Sequence, residues 1–193
     1  MKIILGSAST RRREILSYFY LPYEQAASHF EEETIPFTGD PAAYAQEIAK
    51  QKALALSKLY ENEVILTADT VVSLGDKVFG KPRDEEEAFS FISQLQGKTH
   101  SVFTAVAVYH QGVLHEGVEQ TRVFFNAMTP EQIRAYLKAL HFADKAGGYA
   151  IQLAGSLIVN RIEGCYYNVI GLPINTVAKL LKKVGIDLWK CLN

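Results

Sequence analysis

With 193 residues the chain can bury one generous core, and a single domain over residues 1–193 is the expectation. Its 48% hydrophobic and 21% charged residues, with a formal net charge of −1, fit an ordinary globular protein and exclude the general basic field of a nucleic-acid binder. No stretch approaches a membrane span, Ile3-Ile4-Leu5 is too short for a secretion signal, and Cys165 and Cys191 lack metal-ligand spacing, so a cytoplasmic location follows by default. Along the chain, residues 2–6 read as a strand, and Ile15, Leu16 and Phe19 mark one face of a helix behind it. Residues 30–40 read as a loop, after which Asp40-Pro41 opens a long helix. Residues 63–68 form a second buried strand, and Asp84 begins a helix that buries Ala88, Ile92 and Leu95. Residues 100–109 and 113–126 read as a hairpin turning near Gln111-Gly112, and 129–140 as a helix opening with Thr129-Pro130-Glu131. A strand at 157–162 and a last helix opened by Pro173, with Val177, Leu180 and Leu181 inward, complete an α/β pattern.

Polar residues that interrupt buried faces are the candidates for chemistry. Lys52 falls within the apolar stripe Ala45, Ile48, Ala49, Leu56 and Leu59. It either snorkels to solvent or aims at an anion in a cleft. Asp69 ends the run VILTA, and ligands in α/β sheets collect outside the carboxyl ends of strands. A turn aspartate is the other reading. Glu31-Glu32-Glu33 is either solvated loop or, beside Asp69, the second carboxylate of a site for a divalent cation that takes oxygen ligands. Residues 75–82, GDKVFGKP, nearly match a phosphate-binding loop, but Pro82 supplies no hydroxyl and the stretch reads as a hairpin turn. Lys81 stays as a candidate phosphate contact. Gly147 and Gly148 beside Lys145 permit a close backbone approach to a ligand, or simply a tight turn.

Arg11, Arg12 and Arg13 sit where the first helix starts, the end whose dipole disfavours cations. They are either a solvated patch or part of an anion site. In the second reading Ser7, Ser9, helix amides and guanidinium groups grip one phosphate. Consecutive helical residues point about 100° apart, so at least one arginine faces solvent.

The chain resembles the Maf (septum formation) family of nucleoside triphosphate pyrophosphatases along nearly its whole length. The motifs are S-x-S-x-R-R at Ser7 to Arg12, the acidic loop at Glu31-Glu32, K-x-K-A around Lys52, and A-D-T at Ala68 to Thr70. They continue with G-K-P at Gly80 to Pro82, D-K-A-G-G-Y-x-I-Q at Asp144 to Gln152, and N-V-I-G-L-P at Asn168 to Pro173. The resemblance implies an elongated α/β fold of the Maf/ITPase-like kind, a mixed sheet flanked by helices around a central nucleotide-binding cleft, usually as a homodimer. It implies hydrolysis of a nucleoside triphosphate to the monophosphate and pyrophosphate with a divalent metal, Mg²⁺ or Mn²⁺. Asp69 matches the family's proton acceptor and Glu32 its acidic-loop carboxylate. Arg11, Thr70 and Gln152 match the residues of the branch that prefers dTTP and UTP. Thr10 replaces a usual proline, and Leu140-His141-Phe142 replaces a usual Gly-Glu-Pro, so no role is assigned to His141.

The expected chemistry is metal-assisted attack at the α-phosphorus. Asp69 and Glu32 hold the metal and Asp69 orients or deprotonates the water. Arg12, Lys52 and Lys81 neutralise the triphosphate, while Ser7, Ser9 and Lys145 help to place it. Gln152, whose amide offers both a donor and an acceptor, suits the N3–H and carbonyl of uracil or thymine. House-cleaning of modified nucleotides and restraint of cell division are both in keeping with the family. The alternative is a regulator that senses nucleotide or nucleic acid without turnover, against which the two carboxylates argue.

Overall fold

Seven strands build one mixed sheet: β1 (Ile3–Gly6), β2 (Tyr23–Gln25), β3 (Val64–Leu74), β4 (Lys77–Phe79), β5 (Thr99–His110), β6 (Val113–Phe125) and β7 (Val159–Glu163). The computed structural model describes residues 1–192. The order is β2-β1-β3-β5-β6-β7, with β4 also on β3. β1 pairs in parallel with β2 and β3, and the remaining pairs are antiparallel. Gln111 and Gly112 join β5 to β6 with φ of 47° and 81°, positive at both central residues of the turn. That geometry matches the strand twist of a two-residue hairpin.

Among the described residues six α-helices flank the sheet: α1 (Thr10–Leu16), α2 (Pro41–Ser57), α3 (Glu85–Leu95), α4 (Pro130–Ala139), α5 (Tyr166–Ile170) and α6 (Ile174–Lys183). Their starts are chemically marked. The Asp40 side chain accepts from the amides of Ala42 and Ala43, with Pro41 in the first turn of α2. Asp84 accepts from the Glu87 amide, and Thr129 and Gln132 form a reciprocal capping box.

Side-chain alternation divides the core. Ile3, Leu5, Val64, Leu66, Val106 and Val108 face α1 and α6, while Ile4, Ile65, Ala105 and Ala107 face the alanine stripe of α2. A third cluster joins α3 and α4 to the far halves of β5 and β6. No described helix is long and apolar enough to cross a membrane.

The sequence reading differs from this fold in three places. The strand expected at 63–68 runs on to Leu74, so Asp69 lies inside β3 and not at its end. The extension is the first arm of a hairpin with β4, which turns at Gly75-Asp76. β2 and α5, of three and five residues, are too short for their periodicity to be visible.

Within the third cluster, His100 is 2% exposed and its Nε2 lies 2.7 Å from the Tyr149 hydroxyl, between the rings of Phe125 and Tyr149. Burial pulls the His100 pKa down to about 4. The unfolded chain therefore binds an extra proton between roughly pH 6.5 and pH 4, and stability falls with pH across that window. Chemical denaturation at pH 7 and pH 4 should show about 3 kcal/mol more acid loss in the native protein than in His100→Gln.

Candidate active site

The site grows from a change of partners on β3. β1 pairs with β3 only from Val64 to Thr67, and β4 only from Val72 to Leu74. Residues 68–71 are thus open on that edge and backed by β5 on the other. A cleft of about 930 Å³ occupies the gap, a volume in the range of small-molecule sites. Ser7, Ser9, Arg11, Arg12, Glu32, Lys52, Asp69, Thr70 and Lys81 all line it.

Asp69 and Lys52 are each 7% exposed. The Lys52 ammonium donates to Asp69 Oδ1 at 2.8 Å and pairs with Glu32 Oε1 at 2.7 Å. One cation from α2 therefore draws together carboxylates from β3 and from the Glu32–Thr34 turn. Burial works to raise the Glu32 pKa, but attraction from Lys52, its hydrogen bond, and the charges of Lys81 and Arg12 outweigh it and hold the carboxyl below its ordinary value. Glu33 also lines the cleft.

The three arginines separate as helical geometry requires. Arg13 is exposed. Arg11 donates through Nη2 to the Asp144 backbone carbonyl at 3.0 Å, with the Asp144 carboxylate 3.8 Å away. Arg12 turns into the cleft wall, donating to the Gly171 carbonyl, the Ser7 hydroxyl and the Thr70 hydroxyl at 2.8, 3.1 and 2.9 Å. Ser9 caps α1, accepting from the Arg12 amide. Burial lowers the Arg12 pKa, and the charges of Asp69 and Glu32 oppose that shift. These carboxylates offset the unfavourable placement of cations at a helix start.

Lys81 is exposed at the rim and has no hydrogen-bond or ion-pair partner among the described residues. Its neighbour Gly80 accepts from the Gly147 amide at 2.9 Å, tying the 144–149 segment to this wall. Lys145 and Gln152 do not line the cleft. The Lys145 ammonium is held at 2.5 Å by both the His141 carbonyl and the Asp144 carboxylate. Gln152 precedes Leu153, which has a φ of 53° and is 93% exposed. His141 does line the cleft, as do Asp144, Tyr149 and Val169. Sequence reasoning passed over Thr104 and gave Asn168 no role beyond a motif. Both are fully buried polar residues behind Thr70, and only their polarity within apolar runs marked them.

A family model described as Maf-like protein matches residues 2–184. The chain belongs to the Maf-like protein family. Relatives in this family share the whole length. A protein of Chlamydia caviae named dTTP/UTP pyrophosphatase is 46% identical over 189 residues, covering 97% of this chain and 96% of that protein. One of Clostridium perfringens with the same name is 43% identical over 192 residues, covering 97% and 100%. A Chlamydia pneumoniae protein named nucleoside triphosphate pyrophosphatase is 39% identical over 191 residues, covering 98% and 97%. Among solved structures, the Staphylococcus aureus Ham1 protein aligns over 95% of this chain and 97% of its own, with a TM-score of 0.51 and 10% identity. That likeness is one of fold, and the Maf-like chain shares its mixed α/β architecture.

Replacing Lys52 with Met removes the largest influences that hold the Glu32 pKa down, leaving burial opposed only by the charges of Lys81 and Arg12. The Glu32 carboxyl carbon, followed by NMR against pH, should titrate at higher pH in Lys52→Met than in the native protein. An unchanged midpoint would mean that the ion pair does not form in solution.

Proposed function

We propose that this protein hydrolyses nucleoside triphosphates, dTTP and UTP foremost, to the monophosphate and pyrophosphate. The observation that carries the reading is a buried carboxylate, Asp69, in a cleft that Arg11, Arg12, Lys52 and Lys81 also line. The names of the relatives that match end to end support the same chemistry. The cytoplasmic location expected from the sequence and the homodimer implied by the resemblance belong to this proposal.

Asp69 accepts the proton of a water that attacks the α-phosphorus. Lys52 fixes the carboxylate's orientation through Oδ1, leaving the other oxygen without a hydrogen bond among the described residues. Arg12 and Lys81 meet the charge of the triphosphate and of the departing pyrophosphate. Ser7 and Ser9 hold the α1 turn at the phosphate end. The donor set suits a hard divalent cation. Asp69 and Glu32 converge on the Lys52 ammonium, whose single charge leaves the pair net negative. No group of three His, Cys, Asp or Glu residues arranged for a metal occurs among the described residues. Two carboxylates completed by substrate phosphates is the habit of Mg²⁺. Asp69 and Glu32 would hold it, and it would supply charge neutralisation at the phosphates. Selection of the base by Gln152 requires the turn at Leu153–Leu157 to shift toward the cleft.

Asp69→Asn keeps the shape and removes the base. Turnover of UTP should fall by about 10²–10⁴-fold, as for a general base, while thermal unfolding stays close to native. The native protein should release pyrophosphate from UTP with Mg²⁺ and lose activity in excess EDTA. Binding of UTP without hydrolysis would replace the enzyme with a sensor, and orthophosphate as first product would exclude attack at the α-phosphorus.

A further inference from the structure

Behind the cleft wall, three hydrogen bonds run in one direction, and a fourth branches from the same guanidinium. The carbonyl of Asn168 can only accept, so the 2.9 Å contact from Thr104 Oγ1 uses the one proton that Thr104 has. At the 3.0 Å contact between Thr104 and Thr70, Thr70 must then donate. Its proton spent, Thr70 accepts from Arg12 Nη2 at 2.9 Å. The Arg12 Nε proton goes to the Gly171 carbonyl at 2.8 Å, three residues after Asn168. A chain of one sense that begins at a cation polarises each following bond and strengthens it.

The end of the chain is fixed. Asn168 and Thr104 are both fully buried. The Asn168 amide donates to the Val102 carbonyl and to Thr121 Oγ1, each at 2.9 Å. Gly171 has a φ of 113°, and a Cβ there would stand 3.1 Å from Thr70 Oγ1 and 3.6 Å from Arg12 Nε. The cradle is therefore shaped to the guanidinium, and only glycine closes it without crowding.

We infer that Thr70, Thr104 and the Asn168 backbone carbonyl form a one-way relay that orients the Arg12 guanidinium, so that Thr104, outside the cleft lining, is a positioning residue. Thr70 keeps one lone pair and has no proton to offer a ligand. Arg12 has five N–H groups, and with three donated to Gly171, Ser7 and Thr70 its remaining donors serve the phosphates in one fixed plane. The kinetic part of this inference rests on the pyrophosphatase reading, and the spectroscopic part does not.

The test compares Thr104→Val, Thr104→Ser and Thr70→Val with the native protein, using UTP, dTTP and GTP. Thr104 lies outside the cleft lining. Thr104→Val and Thr70→Val should each raise KM for all three nucleotides by about tenfold, the scale of one lost hydrogen bond to a charged group, and Thr104→Val should leave the UTP-to-GTP preference unchanged. Thr104→Ser should restore native values. Independently of turnover, the two Nη groups of Arg12, assigned by their loss in Arg12→Lys, should give separate NMR signals in the native protein and in Thr104→Ser. In both valine variants the Nη2 signal should shift and broaden as its bond to Thr70 weakens or is lost, while Nε stays held by the Gly171 carbonyl. An Nη2 signal unmoved in folded Thr104→Val, or a change in the UTP-to-GTP preference in Thr104→Val, would overturn the relay. Should the native protein hydrolyse none of the three nucleotides while the signals behave as stated, the functional reading fails and the relay stands.

Discussion

Between Thr67, the last residue of β3 paired with β1, and Val72, the first paired with β4, one edge of the central strand has no neighbouring strand among the described residues. β1 leaves the sheet at Gly6 and turns through Ser7–Ser9 into α1, while antiparallel β4 ends at Phe79, opposite Val72. The exposed edge is backed by β5, with Asp69 opposite Ala105 and Thr70 opposite Thr104. Side chains on a strand alternate between faces. Asp69 therefore meets Lys52 on the α2 side while Thr70 meets Arg12 on the side of α1 and α5. The gap lets one cleft draw on both faces of the sheet, which a continuous ladder would keep apart.

The charges in this gap are arranged in two ways. Lys52 is answered by two carboxylates in direct contact, so its burial is compensated within the protein. Arg12 is not. Its direct partners are a carbonyl and two hydroxyls, and its nearest carboxylates act only at a distance. A half-buried cation held by neutral dipoles is oriented but not neutralised. With exposed Lys81 on the facing rim, the cleft is left short of negative charge on one side and supplied with it on the other. A polyanion placed with its phosphates toward Arg12 and Lys81 completes the balance.

Much of this was legible in the sequence. Lys52 in an apolar stripe and Asp69 in an apolar run broke periodicity, and periodicity is the strongest local signal. The caps at Asp40, Asp84 and Thr129 announced three helices, because a side-chain oxygen at a helix start is a local requirement. The extent of β3 was not legible, since the polar pair Asp69-Thr70 resembles the end of a strand when its partners are unknown. Thr104 and Asn168 were equally hidden. A threonine in a strand and an asparagine in a short helix acquire meaning only when folding brings them to Thr70, from 34 residues away for Thr104. The relay is a property of tertiary contact, and a single sequence holds no trace of its direction.

The distance between α2 and the sheet ties the fold to the site. Ala45, Ala49 and Ala53 face the strands, and alanine lets a helix come close. Thr67 Oγ1 donates to the Ala49 carbonyl at 2.6 Å, pinning the helix two residues before Asp69. Opposite, a Cβ on Gly6 would fall 2.4 Å from Leu56 Cδ1 and 2.6 Å from Thr67 Cγ2, so that neighbour too is at its smallest. Lys52 follows Ala49 by three positions and sits on the same face of α2. A lysine side chain is long enough to reach solvent from such a position. Here the close approach of the helix brings its ammonium to rest on Asp69 and Glu32 instead. The small residues of α2 and β1 hold little chemistry themselves, yet they set the separation at which one ammonium can serve both carboxylates.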